Sequence, residues 1–201
     1  MASRWLAQPD HLAWLREQTR LQLRFGRHSG HPSGGMAYLD DEGHPDLTKP
    51  VHTWITARMA HVYSLGHLAG VPGCGTVASQ ALEGLRRRLY DEEHGGWYAS
   101  VGPGDATDET KEAYAHAFVV FAASSATVAG IDGAADLMGE ALHTLDQRFW
   151  EEGPGLHADS AARDFSSVSD YRGVNANMHS VEALLSAADT TGNARWLERA
   201  A

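Results

Sequence analysis

Asn175, His179 and Glu182 are spaced four and three residues apart, which puts them on one face if the segment is helical. A carboxylate within reach of an imidazole fixes its tautomer and raises its basicity, as general acid–base work requires. Asn175 brings one donor and one acceptor, suited to sugar hydroxyls. They lie in the densest polar stretch of the chain, Tyr171-Arg172-Gly173 with Asn175, Asn177, His179 and Glu182. Two smaller clusters resemble it in kind: His52, Trp54 and Arg58, then Lys111, Tyr114 and His116. Trp54 and Tyr114 offer flat apolar faces for the C–H side of a pyranose. Arg58 is a fixed cation able to stabilise developing oxyanion charge.

Each of these residues also has a purely structural reading. A lone helical histidine such as His179 can be a satisfied structural residue, and Trp54 and Tyr114 can be core. Arg58 can pair with a neighbouring acid. Lys111 and Glu112 read as a solvated helix start, and His116 as a buried, hydrogen-bonded side chain. His28, His31 and His44 lie in one loop near Asp40, Asp41 and Glu42, but their spacing matches no tight metal-ligand set, so no metal is expected. Gly102-Pro103-Gly104 reads as a turn. No nucleophile elbow, phosphate loop or dinucleotide fingerprint is present, and no carboxylate pair of glycosidase type is evident.

Helical periodicity positions these clusters. A first helix capped by Asp10 is expected to residue 25, with Leu12, Leu15, Leu21 and Phe25 as its apolar stripe. A polar, Gly-rich loop covers 28–49, and helices follow at about 51–68, 76–90, 109–129, 134–150 and 175–190. His94 to Tyr98 is too Gly-rich for helix. Residues 166–173 read as loop, and Trp196-Leu197 begin another element.

A repeat underlies the list. Leu68-Ala69-Gly70, Val128-Ala129-Gly130 and Thr190-Thr191-Gly192 end three helices about sixty residues apart. Leu89-Tyr90-Asp91-Glu92 before Gly95-Gly96-Trp97-Tyr98 is echoed by Phe149-Trp150-Glu151-Glu152 before Gly153, Gly155, Leu156 and His157. Each unit is a helical hairpin plus a turn-rich excursion. Such hairpins cannot bury their apolar faces alone and must stack, in a solenoid or a ring of inner and outer helices. The segment 115–129 is apolar nearly all round and reads as inner; 134–150 is amphipathic and reads as outer. In a ring, the first turns of inner helices rim a central cavity, where the three clusters fall.

With 201 residues, 43% of them hydrophobic, the chain can bury a real core. The formal net charge of −10 makes nucleic acid and anionic membranes poor partners and favours a neutral ligand. A single cysteine, Cys74, read as a small loop residue, excludes an internal disulfide and fits a reducing compartment. Residues 1–20 show no signal peptide, no window approaches a membrane span, and a cytoplasmic protein is expected.

Residues 49–58 with Trp54 and Arg58, Gly95-Gly96-Trp97, the Lys111–Phe118 phrase, and above all Tyr171 to His179 with Glu182-Ala183 resemble the N-acylglucosamine 2-epimerase superfamily, closest to its mannose and sulfoquinovose isomerase branch. The resemblance covers the chain from about Trp14 onward. It implies an all-α fold, an (α/α)6 barrel of helical hairpins, of which residues 1–201 would form the N-terminal portion of one catalytic domain, about half the barrel. It implies a sugar pocket lined by Trp54, Arg58, Tyr114, Asn175 and His179, with His116 and Glu182 added as substrate-binding candidates. It further implies aldose–ketose isomerisation, mannose to fructose, by proton transfer through a cis-enediol, with no cofactor or metal. Alternatives are a 2-epimerase of N-acylglucosamine or cellobiose type and a non-catalytic sugar-binding fragment. Family members are about twice this length with further catalytic histidines in the second half, so a truncated chain, or one inactive alone, is expected. Half a ring would expose apolar surface and favour homo-oligomers.

Overall fold

The computed structural model describes residues 8–103 and 106–201; Gly104, part of the expected turn, and residues 1–7 lie outside them. Seven helices are described. α1 (Pro9–Gly26) starts at Pro9 behind Gln8, so Asp10 lies in its first turn and is not its cap. The expected stripe Leu12, Leu15, Leu21 and Phe25 is solvent-exposed; α1 instead buries His11, Leu23 and Gly26. α2 (Thr53–Leu68), α4 (Ala113–Val128) and α6 (Val174–Thr191) form an inner row in which α4 packs against both α2 and α6. α3 (Cys74–Arg86), α5 (Ala134–Thr144) and α7 (Ala194–Ala200) pack behind them, and Cys74 is the first, buried residue of α3. α5 passes into a π-helical turn, Leu145–Phe149, before strand starts at Trp150. α4 buries twelve of its sixteen residues, as an inner helix must, whereas α5 has one apolar face.

The excursions are short antiparallel strands: β1 (Tyr38–Leu39) with β2 (Pro45–Asp46), β3 (Val51–His52) with β4 (Ser100–Val101), and β4 with β5 (Thr107–Asp108). β6 (Lys111–Glu112) pairs with β9 (Ser160–Ala161), and β7 (Trp150–Glu151) with β8 (Leu156–His157). Residues 51–52 and 111–112, expected as helix, are therefore strand. They pair with the next excursion, and that excursion satisfies the helix start. The Thr53 N–H donates to Ala99 O at 3.1 Å and the Ala113 N–H to Asp159 O at 2.9 Å. Neither helix has a side-chain cap, so the strand carbonyls take over that role.

The inner helices are in register at spacings of 60 and 61 residues. Thr56 of α2, His116 of α4 and Asn177 of α6 each accept a backbone N–H from an excursion: Met36 to Thr56 Oγ1 at 3.1 Å, Trp97 to His116 Nε2 at 3.1 Å, His157 to Asn177 Oδ1 at 2.8 Å. The same register exposes an edge. Val174, Met178, Val181 and Leu185 of α6 are exposed, while their counterparts in α2 (Thr53, Ala57, Ala60, Ser64) and α4 (Ala113, Ala117, Val120, Ser124) are buried. Among the described residues no helix is long and apolar enough to cross a membrane.

Candidate functional site

Three layers of side chains face one another across α2, α4 and α6. The first turns contribute Trp54, Tyr114 and Asn175, at equivalent positions. One turn further come Arg58, Phe118 and His179; the next layer holds His61, Phe121 and Glu182. Equivalence follows from the register, since a fixed helical offset from Thr56, His116 and Asn177 selects one face on each helix.

Arg58 Nη2 donates to Tyr114 Oη at 2.9 Å and, among the described residues, meets no carboxylate, so the pairing with a neighbouring acid is not found there. Its guanidinium lies 4.3 Å from the Phe118 centroid and 5.2 Å from that of Trp54. Trp54 meets Tyr114 edge-on at 6.4 Å, and Tyr114 meets His179 edge-on at 5.3 Å. Phe118 fills the space between Arg58 and His179, whose ring is 4.7 Å away. Arg58, Tyr114 and His179 are thus brought together by packing.

His179 Nδ1 lies 2.7 Å from Glu182 Oε2. That contact makes Nδ1 the protonated nitrogen, leaving the Nε2 lone pair without a protein partner among the described residues. Asn175 is exposed in the first turn of α6, four residues before His179. Its neighbour Asn177 is spent on structure, accepting from His157 N–H and donating to His157 O and Gly173 O at 3.0 Å. Arg172 is likewise structural, ion-paired with Glu151.

His116 is corrected by the structure. It is fully buried, its Nδ1 donates to Glu112 O at 2.7 Å, and its Nε2 accepts from Trp97. Burial pushes its pKa down to about 3, so it stays a neutral latch behind the site and does not line it. Lys111 is corrected too. It is no solvated helix start: its side chain is buried and its Nζ lies 2.9 Å from Asp91 Oδ2. Arg163 Nε reaches the same oxygen at 3.0 Å. Burial raises the Asp91 pKa, but Arg163 and Lys111 outweigh it and hold the carboxyl well below the usual range. This clamp ties two excursions together at the start of α4, the helix that carries Tyr114.

Sequence reasoning missed Phe118 and His61 as part of the cluster. His61 stacks on Phe121 at 4.1 Å, and its Nδ1 lies 2.6 Å from Ser125 Oγ; burial lowers its pKa. The repeat register, carried from 58 and 179 to 118 and from 182 to 61, is the signal that finds both. In the 28–49 loop, ligand atoms of Asp40, Glu42 and His44 lie within 4.8 Å of one another on the exposed surface. Asp40 Oδ1 there accepts from the Glu42 and His44 N–H groups, closing a turn.

Residues 34–201 match the family model of N-acylglucosamine 2-epimerase. A D-mannose isomerase of Thermobifida fusca is 45% identical over 98% of the chain and 48% of its own length. Among solved structures, a D-mannose isomerase superposes with a TM-score of 0.86 at 30% identity, over 94% of this chain and 49% of the other. The cellobiose 2-epimerase of Spirochaeta thermophila gives 0.83 at 25% identity, over 98% of this chain and 54% of the other. The chain spans about half the length of the curated relatives it matches. Its helices form about half of an (α/α)6 barrel, and the chain belongs to the N-acylglucosamine 2-epimerase family.

Proposed function

We propose that this site interconverts a mannose-like aldose and its ketose, mannose to fructose, as part of one (α/α)6 catalytic domain whose N-terminal portion is residues 1–201. The observation that carries the reading is the pairing of His179 with Glu182 beside the Arg58–Tyr114 contact. With Nδ1 held by Glu182, His179 Nε2 takes the proton from C2 of the open-chain aldose. The electron pair released forms the C1–C2 double bond of a cis-enediol as O1 gains a proton. Return of the proton to C1, with loss of the O2 proton, leaves the ketose. Arg58 and Asn175 hold the two oxygens on which charge develops. Trp54 and Tyr114 hold the sugar ring. An acid–base group facing His179 across the cavity completes the proton exchange at the oxygens. These steps need a monosaccharide and side chains alone.

The single buried Cys74 supports a reducing, cytoplasmic setting, and the exposed edge of α6 supports self-association. The test is incubation with D-mannose and chromatographic detection of fructose, repeated with His179→Ala. Fructose formed and lost with the variant supports the reading; turnover retained in the variant overturns it. A 2-epimer product without ketose identifies the epimerase instead, an outcome favoured by the likeness to cellobiose 2-epimerase. Calorimetric sugar binding without turnover identifies a binding fragment.

A further inference from the structure

His61 is a side chain of the inner face to which the proton transfers above assign no task. It follows Trp54 and Arg58 on α2 by seven and three residues, so it shares their face one turn deeper, about 4.5 Å past Arg58 along the helix axis. Two contacts with α4 hold it. Its ring stacks on Phe121, with centroids 4.1 Å apart and planes inclined by 26°. Its Nδ1 lies 2.6 Å from Ser125 Oγ. That hydroxyl already donates its one hydrogen to Phe121 O at 3.1 Å, so it accepts from the imidazole, and the proton sits on Nδ1. Burial lowers the His61 pKa, which keeps the ring neutral at neutral pH.

The other ring nitrogen is therefore a bare lone pair. Nε2 has no hydrogen-bond partner among the described residues. It is not sealed in either: the orphaned buried side-chain atoms there are Arg88 Nε and Trp150 Nε1, so Nε2 opens to solvent. α2 thus repeats one device on successive turns, since Arg58 is held by the Tyr114 hydroxyl and His61 by the Ser125 hydroxyl, both on α4. The cation suits an oxygen that gains charge. The acceptor below it, which carries no hydrogen, suits an O–H group. His116 shows the contrast, because a purely structural histidine spends both nitrogens inside the protein.

We propose that His61 is the floor of the sugar pocket, its Nε2 accepting the hydrogen of the C1 hydroxyl of the ketose. This rests on the isomerase reading above, in which Trp54 and Tyr114 hold the body of the sugar while Arg58 and His179 meet the reacting carbons. The C1 end then points one turn deeper, to His61. No bond is made or broken there; the contact fixes C1 beside His179 and selects for a hydroxyl at that carbon.

The test is nitrogen-15 NMR of the histidine side chains in the 201-residue chain, with D-fructose and 1-deoxy-D-fructose as probes. His61→Phe, which keeps an aromatic ring on Phe121, assigns the His61 signals, and circular dichroism checks its fold. In the free protein His61 should carry its proton on Nδ1 with Nε2 bare, and Ser125→Ala should mix the two tautomers. Fructose should shift the Nε2 signal and bind about tenfold tighter than the deoxy sugar, the worth of one hydrogen bond. His61→Phe should abolish that preference. A proton on Nε2 in the free protein overturns the inference without any sugar. Equal binding of the two sugars, or a preference kept in His61→Phe, overturns it as well. A fructose shift at His179 with none at His61 overturns it and leaves the isomerase reading standing; no shift at either histidine overturns both.

Discussion

The backbone N–H of Trp97 donates to Nε2 of His116 at 3.1 Å, inside the protein. Thr56 and Asn177 accept from Met36 and His157 in the same way. One positional role is thus filled by a hydroxyl, an imidazole and an amide in three successive units. His116→Ala leaves a buried donor unanswered and a void beside Phe149, and should cost about 2–4 kcal/mol in urea denaturation. His116→Asn, which copies Asn177, should recover part of that loss.

Acid sensitivity should begin well above the carboxylate range. Burial lowers His116 to about 3 and His157 to about 4, each from an ordinary value of 6.5. The unfolded chain therefore binds more protons than the native one below pH 6.5. Stability is full above that pH and is lost as pH falls toward 4 and then 3. Denaturation midpoints measured between pH 7 and 4 should fall in the wild type and flatten in a His116→Asn/His157→Gln double variant. Equal slopes would show that these two histidines do not carry the effect.

Asp91 should be the most costly charge to remove. Asp91→Ala strands Lys111, whose side chain is fully buried, and the expected loss is about 3–5 kcal/mol. Adding Lys111→Met should restore much of it, because the double variant buries no unpaired charge. A double-mutant cycle by chemical denaturation reads the coupling directly.

Glu182 Oε2 lies 2.7 Å from His179 Nδ1, a position from which it can orient the imidazole. In protein that turns over mannose, Glu182→Gln should lower kcat roughly tenfold with little change in KM, and shift the acidic limb of the pH profile. His179→Ala should lower it by about 10²–10⁴. A Glu182→Gln effect on KM alone would place the carboxylate on the sugar instead.

Gly84 of α3 faces the glycine-rich loop that follows α1. A Cβ there would collide with the backbone N and Cα of Gly35, a contact that only backbone movement relieves. Gly84→Ala should therefore lower stability by about 1–3 kcal/mol, whereas Gly139→Ala, which meets nothing within 4 Å, should be neutral or better. Thermal melts of the two variants make the comparison.

Helix content, the sixty-residue unit, the inner character of the 115–129 segment and the family were all legible in the chain, because apolar periodicity and terminal glycines are local signals. So was the grouping of Trp54, Arg58, Tyr114 and His179, since residues in the first two turns of inner helices, at one repeat register, face a common centre. Which histidine is free and which is locked was not legible. His116 and His179 stand in similar helix starts, but His116 lies two register positions earlier, faces the wall and is sealed by Trp97, while His179 points along the open face to Glu182. The burial of Lys111 was equally hidden, because its partner Asp91 is 20 residues away and Arg163, which shares that carboxylate, is 52 residues away. The exposure of Leu12, Leu15 and the α6 edge was hidden for the same reason. A periodic apolar stripe states only that a face can be covered; which neighbour stands there, and how close, is decided when the helices stack.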